Sequence, residues 1–165
     1  TEKLLDKIVE IILPSGLKLI IEPGRSIVGN AGLLITKVLN IKISGDKNFA
    51  IVDAAMNDLI RPPLYNAHHR ISTLSTSLNA KEEIYDVVGP VCETADYLGK
   101  DRKLSVIKND YLAVEDVGAY GFSLSSNYNS RPRIAEYMLF GDEIKKIRSR
   151  ENLLNLILDE RDLLK

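Results

Sequence analysis

The hydrophobic period of the chain changes near Gly32, and this change restricts the available folds more than any other feature. Before it, apolar residues recur on one face of a helix, at Leu4, Leu5, Ile8, Ile11 and Ile12. After it, apolar side chains at positions 33, 35, 39, 41 and 43 alternate with polar ones at 36, 40 and 42. Such alternation is typical of a half-buried strand. We therefore predict a mainly β chain whose first 32 residues have α/β character.

Turn residues divide the chain into short segments. Pro14-Ser15-Gly16 should end the first helix, and an apolar strand is expected at 17–21. A turn at 44–48 joins the strand at 33–43 to a second hairpin arm at 49–52. Further strands are predicted at 71–74, 83–87, 104–107, 112–115, 133–140 and 143–148, with a closing helix at 151–165. Many short strands favour an antiparallel β-barrel or sandwich.

Composition excludes several function classes. The formal net charge is −1, from 22 basic and 23 acidic residues, so no field of one sign favours nucleic acid or an anionic membrane. Cys92 is the only cysteine, which excludes an internal disulfide and favours a reducing cytoplasm. The chain begins at Thr1, without methionine and already in a helical pattern, so we expect it to be a piece of a longer protein.

Four short segments each place a charged, thiol or phenolic side chain among residues that fix the shape of the backbone. This combination suits loops that hold a small anionic ligand, and core packing explains it poorly. The segments are Glu22-Pro23-Gly24-Arg25, Met56 to Tyr65, Gly89-Pro90-Val91-Cys92-Glu93-Thr94 and Gly118-Ala119-Tyr120-Gly121.

The first two segments carry arginines. Gly24 permits close approach of a ligand to the backbone, and Arg25 offers a guanidinium fork for phosphate or carboxylate. The alternative is a βα turn with a surface arginine. In 61–65, two prolines would hold Arg61 and Tyr65 rigidly for a carboxylate, or would blunt an edge strand. The neighbouring His68-His69 pair lacks a third ligand, so we predict no metal site.

The other two segments offer a thiol, a carboxylate and a phenol. Cys92 is either a small buried hydrophobic residue or a proton donor, since cysteine thiols are mostly protonated near neutral pH. In the second case Glu93 would hold a substrate ammonium group. Tyr120 either forms a hydrogen bond with a phosphate or caps a ring, or it anchors a barrel corner.

In their order and spacing these segments resemble the pyridoxal-phosphate-dependent decarboxylases of fold type III, which act on ornithine, diaminopimelate and arginine. Asn30-Ala31-Gly32 and Asn127-Tyr128-Asn129-Ser130-Arg131-Pro132-Arg133 add to the resemblance, which runs from about Leu17 to the last helix. It implies that residues 1–32 are the C-terminal remnant of a (β/α)8 barrel that binds pyridoxal 5'-phosphate. Residues 33–165 would form the β-barrel C-terminal domain with its terminal helix.

The resemblance also implies roles for matching positions. Cys92 would be the proton donor, and Cys92 and Glu93 would reach into the partner's active site in a homodimer. The resemblance implies that ornithine enzymes carry Cys-Asp-Gly at the position where this chain has Cys92-Glu93-Thr94. Glu93 and Arg61 therefore favour diaminopimelate as the substrate, which would yield lysine. Substrate contacts would come from Arg25, Arg61, Tyr65, Glu93 and Tyr120, and cofactor contacts from Glu22, Gly24, Arg25 and Tyr120.

The resemblance is incomplete in one respect. The family's cofactor-binding lysine, ring-stacking histidine and glycine-rich loop have no counterpart here, so we predict that this chain alone is inactive. A non-catalytic β domain with a dimerisation or regulatory role is the alternative. An oligonucleotide-binding barrel is disfavoured, because only seven tyrosines and three phenylalanines are present and tryptophan is absent. Without neighbours, the strand at 17–21 should cause aggregation or domain swapping, or dock on the β domain.

Overall fold

The computed structural model describes residues 2–74 and 80–164. The first helix, α1 (Glu2–Ile12), is confirmed, and a 3-10 turn follows it at Leu13–Ser15. Gly16 ends this turn with a left-handed φ of 68°, which glycine adopts without a Cβ penalty. Within the described residues, no helix combines the length and the apolar character that a bilayer span requires.

The strand predicted at 17–21 is wrong. The segment is extended but pairs with no strand in the described part of the chain, and Leu17, Leu19, Ile20 and Ile21 are all exposed. An apolar strand needs hydrogen-bonding neighbours at its edges and cover on its faces. The described part of the chain supplies neither at that position, so local β propensity does not become a strand, and the segment does not dock there on the β domain.

Six strands form a mixed sheet that is nearly closed. They are β1 (Leu34–Ser44), β2 (Lys47–Val52), β3 (Ile71–Thr73), β4 (Glu82–Val88), β5 (Tyr97–Ser105) and β6 (Tyr111–Val114), in the order β3-β6-β1-β2-β4-β5. Neighbours are antiparallel except β2 and β4, which are parallel. The outer strands β3 and β5 approach each other. A Cβ added to Gly99 of β5 would lie only 2.9 Å from Cδ1 of Ile71 in β3. The mainly β prediction is confirmed, with one parallel pair that it did not contain.

The face that β1 buries differs from the predicted one. Leu34, Thr36 and Val38 are buried, whereas Ile35 and Leu39 are exposed. The Thr36 hydroxyl donates to Asp53 Oδ1 at 2.6 Å and accepts from the Ala54 N–H at 3.0 Å, so it is satisfied in the interior. The register shifts between Val38 and Asn40, which turns the later residues relative to the earlier ones.

The remaining elements lie outside this sheet. Strands β7 (Glu136–Phe140) and β8 (Glu143–Arg148) form a separate, mostly exposed hairpin around Gly141. The closing helix is confirmed only in part, as α3 (Leu153–Leu156) and a 3-10 turn at Arg161–Leu164. Strand β5 begins seven residues before the predicted start. The prediction missed these residues because Gly99 and the charged residues after it interrupt the alternating pattern of a strand.

The interior of the sheet forms the core. It contains aliphatic side chains from every strand of the sheet, with Leu59 from the β2–β3 connection: Leu34, Val38, Ala50, Val52, Leu59, Ile71, Val87, Leu98, Leu104, Leu112 and Val114. This rigid body carries the loops described below.

Candidate functional site

The Gly24-Arg25 turn packs against the loop that follows β6. Arg25 Nη2 donates to the carbonyl oxygen of Asp116 at 2.7 Å. Two backbone bonds join the same segments, Val117 N–H to Gly32 O at 3.1 Å and Gly118 N–H to Gly29 O at 2.9 Å. A Cβ on Gly118 would overlap the Val28 carbonyl oxygen, so this contact requires glycine. The two segments are therefore held in fixed positions.

Tyr120 lies between Gly24 and Arg61. A Cβ on Gly24 would be 3.1 Å from Tyr120 Oη, and Arg61 Cζ is 5.9 Å from the centroid of the Tyr120 ring. Tyr120 has a left-handed φ of 59°, which is rare for a bulky residue. The half-exposed phenol thus lies over the glycine.

Arg61 begins a short helix, α2 (Arg61–Tyr65). The sequence alone allowed two alternatives for these residues, a stiff binding segment and a blunted strand edge. The prolines of this helix stand in the first turn, where a missing N–H costs no hydrogen bond. Arg61 Cζ lies 5.5 Å from the Tyr65 ring. We call Arg25, Arg61, Tyr65 and Tyr120 the arginine–tyrosine cluster.

The two guanidinium groups of this cluster lack anionic partners. No carboxylate of the described residues forms an ion pair with Arg25 or Arg61, and the Nε atom of each is buried without a hydrogen bond. Buried donors without partners are costly, so such a site favours a bound anion. Glu22 is exposed and makes no hydrogen bond or ion pair within residues 2–74 and 80–164.

His69, which sequence reasoning weighed only as a metal ligand, is buried beside these arginines. Its Nδ1 lies 2.8 Å from the Glu115 carbonyl oxygen, which can only accept, so Nδ1 carries the proton. Nε2 has no partner. Burial is the main cause that lowers the pKa of His69, and the charges of Arg25 and Arg61 lower it further. His68 is exposed, and the described residues contain no cluster of three metal-ligating side chains.

Cys92 and Glu93 lie on a separate loop that is fixed by a buried carboxylate. Asp96 accepts from the Met56 N–H and from the Val91 N–H, each at 2.7 Å. Burial raises the pKa of Asp96, and these two bonds oppose the rise. Cys92 is exposed, so its interpretation as a buried hydrophobic residue is wrong.

Two hydroxyl groups contact the carboxylate of Glu93. Tyr128 Oη donates to Oε2 at 3.4 Å, and Thr94 Oγ1 donates to Oε1 at 3.3 Å. We call Cys92, Glu93, Thr94 and Tyr128 the thiol–carboxylate cluster. No hydrogen bond, ion pair or ring contact joins it to the arginine–tyrosine cluster within the part of the chain that the structure describes.

Arg131 fixes the segment that carries Tyr128. Its Nε donates to Asn57 Oδ1 at 2.8 Å, and its Nη2 donates to the Asp53 carbonyl at 2.6 Å and lies 3.8 Å from Asp58 Oδ2. Burial raises the pKa of Asp58, which the Ala55 N–H and Arg131 oppose. The sequence showed Arg131 only as part of a motif, and only the tertiary structure brings Asp58 to it.

Comparisons with known proteins agree with this arrangement. A family model described as "Pyridoxal-dependent decarboxylase, C-terminal sheet domain" matches residues 11–118. The diaminopimelate decarboxylase of Vibrio cholerae is 56% identical over 140 residues, which cover 85% of this chain and 33% of that protein. That of Haemophilus influenzae is 53% identical over 140 residues, 85% of this chain and 34% of that protein. The chain thus spans about one third of the length of these curated relatives.

A solved structure gives the same result. The diaminopimelate decarboxylase from Helicobacter pylori, complexed with L-lysine, superposes with a TM-score of 0.81 at 48% identity, over 90% of this chain and 37% of that one. The family model covers Arg25, Arg61, Cys92 and Glu93, whereas Tyr120 and Tyr128 lie beyond its last matched residue. The chain belongs to the pyridoxal-dependent decarboxylase family and contains the C-terminal sheet domain of that family.

Proposed function

We propose that this chain is the C-terminal portion of a diaminopimelate decarboxylase, which converts meso-2,6-diaminopimelate to L-lysine and carbon dioxide. The observation that carries the proposal is the pair of guanidinium groups, on Arg25 and Arg61 beside Gly24 and Tyr120, for which the described residues supply no carboxylate partner. The names of the most similar relatives support the choice of substrate.

The residues present fit the phosphate group of pyridoxal 5'-phosphate. Gly24 lets the Tyr120 hydroxyl approach its backbone closely, since a Cβ there would lie 3.1 Å from Oη, and Arg25, whose buried Nε has no hydrogen bond among the described residues, lies in the same turn. Glu22, Gly24, Arg25 and Tyr120 would hold the cofactor, which supplies an electron sink for the loss of carbon dioxide when bound. The lysine that binds it covalently would come from the N-terminal barrel.

The substrate has an amino-acid group at each end, and the side chains match these charges. Arg25 and Arg61 would bind carboxylates, with Tyr65 as a further donor. Glu93 would bind the ammonium group at the distal end. The exposed Cys92 thiol would deliver a proton to the carbon that loses carbon dioxide.

The domain organisation and the assembly belong to the same proposal. Residues 1–32 would be the end of the (β/α)8 barrel, and 33–165 the β-barrel domain. Within the described residues no hydrogen bond, ion pair or ring contact joins the two clusters, which supports a homodimer in which Cys92 and Glu93 complete the partner's arginine–tyrosine cluster. A free, exposed thiol supports a cytoplasmic location.

The test is a chimera in which this chain replaces the C-terminal third of the Vibrio cholerae relative. We expect carbon dioxide release from diaminopimelate that is lost on Cys92→Ala and on Arg61→Ala, with Arg70→Ala as the control for an exposed arginine near the same region. A folded, cofactor-loaded chimera without activity would refute the hypothesis that the chain is part of an active decarboxylase. It would favour the alternative of a non-catalytic β domain.

A second experiment tests the prediction that the chain alone is inactive. Pyridoxal phosphate is added to the purified 165-residue chain, followed by borohydride and peptide mapping. We expect no single lysine to become labelled. Stoichiometric labelling of one lysine would contradict the prediction.

A further inference from the structure

Both oxygens of the Glu93 carboxylate are held by neighbouring hydroxyl groups. Thr94 donates to Oε1 at 3.3 Å and Tyr128 donates to Oε2 at 3.4 Å. A glutamate side chain that is free in solution loses rotamer entropy when it is fixed, at a cost of up to about 2 kcal/mol. Donors that fix it in advance reduce the cost of binding a ligand.

We propose that Thr94 and Tyr128 are positioning residues, which orient the Glu93 carboxylate toward the substrate's ammonium group. The inference rests on the proposed function, because it concerns the contact that is assigned there to Glu93. Neither hydroxyl needs to touch the reacting atoms. Each acts through the carboxylate.

The two donors stand on loops that are fixed by different side chains. Thr94 belongs to the loop that Asp96 ties to Met56 and Val91. Tyr128 belongs to the segment that Arg131 ties to residues 53–58. Both ties therefore end on the same short connection between β2 and α2. A donor on a rigid loop can define the plane of a carboxylate, which a flexible loop could not do.

The arrangement leaves the carboxylate able to bind a cation. A carboxylate accepts about four hydrogen bonds, and the two hydroxyls use one on each oxygen. Glu93 is exposed, and no lysine or arginine of the described residues forms an ion pair with it. An ammonium group with three donors can therefore use the remaining positions.

The charges around Tyr128 keep it a donor. The negative charge of Glu93 is the main cause that raises the pKa of Tyr128, and burial, the hydrogen bond to Glu93 and the nearby Cys92 add to the rise. The phenol therefore stays protonated throughout the physiological pH range, and the hydrogen bond does not depend on pH there.

The first experiment tests the contact on this chain alone. Tyrosine labelled with 13C at Cζ is incorporated, the Tyr128 signal is assigned by its loss in Tyr128→Phe, and each signal is titrated with pH. We expect the pKa of Tyr128 to lie above that of free tyrosine and to fall in Glu93→Gln, while Tyr137 on the exposed hairpin is unaffected. An unchanged Tyr128 titration would overturn the inference.

The second experiment tests the role in the chimeric enzyme. Tyr128→Phe and Thr94→Val should each raise KM for diaminopimelate by about two- to tenfold, the range for one hydrogen bond, with a smaller change in kcat. Thr94→Ser should restore KM, and Tyr137→Phe is the matched control. In Glu93→Gln, adding Tyr128→Phe should have no further effect, because both changes act on one carboxylate.

The outcomes separate this inference from the proposed function. In an active chimera, the KM increase of the double variant could equal the product of the increases caused by Glu93→Gln and Tyr128→Phe alone. That result would overturn the positioning role and leave the proposed function intact. An inactive chimera, with the Tyr128 titration still sensitive to Glu93→Gln, would refute the proposed function and the kinetic role but not the contact.

Discussion

Gly118→Ala should separate the Gly24-Arg25 turn from the β domain. The new Cβ would overlap the Val28 carbonyl oxygen and lie 2.9 Å from Gly32 N, and both are backbone atoms that cannot rotate away. Residues 25–32 must then move. Gly29 is the only buried residue of that segment, so movement costs little apolar burial.

The magnitude follows from the bonds that are lost. Two backbone hydrogen bonds, to Gly29 O and Gly32 O, contribute about 1 kcal/mol each, and the bond from Arg25 to the Asp116 carbonyl about 2 kcal/mol. The sum of about 4 kcal/mol corresponds to roughly a thousandfold shift toward the separated state. The β domain should stay folded, because its core lies elsewhere.

Amide hydrogen exchange measures this directly. The amides of residues 117 and 118, which donate to Gly32 O and Gly29 O, should lose protection, while amides of β4 and β5 keep theirs. The pKa of His69 should rise when Arg25 moves away. Gly45→Ala is the control, because Gly45 has a φ of 62° and no atom within 4 Å of the new Cβ, so only about 1 kcal/mol is expected. Unchanged exchange at the amides of residues 117 and 118 would refute the steric argument.

Three further predictions concern stability. Leu112→Ala removes a fully buried side chain of β6 and should lower the free energy of unfolding by about 2–5 kcal/mol, measured by urea titration. Arg131→Ala leaves the buried Asp58 without its cation and should cost about 2 kcal/mol by the same assay; an unchanged urea midpoint would contradict the assigned contacts. Because the pKa of His69 is lowered in the folded state, its contribution to stability is present above about pH 6.5 and is lost as the pH falls through the folded value. His69→Gln should remove this acid-side loss in thermal melts between pH 7 and 5, and His68→Gln should not.

Some elements were fixed by local physics. The helical spacing of Leu4, Ile8 and Ile12 predicted α1, and Gly141 with its neighbours predicted the hairpin of β7 and β8. Both rest on interactions between residues close in sequence, which a period or a turn residue reports directly. The β character after Gly32 was readable for the same reason.

Other elements depended on partners far along the chain. The apolar segment at 17–21 did not become a strand, because no described residue pairs with it. In β1, the bonds of Thr36 to Asp53 and Ala54 and the register shift decided which face is buried. An alternating pattern indicates that a strand has two different faces. It does not indicate which of these faces will be covered by another element.

The sequence by itself singled out the candidate side chains Arg25, Arg61, Cys92, Glu93 and Tyr120, since each stands among glycines or prolines that are visible in the chain. Only the tertiary structure decided that they divide into two clusters, and that Thr94, Tyr128 and the buried acids hold them. Hydrogen bonds such as that of Tyr128 to Glu93 join residues 35 positions apart. No local pattern encodes such a pair, because its geometry is set by the sheet that brings the two loops together.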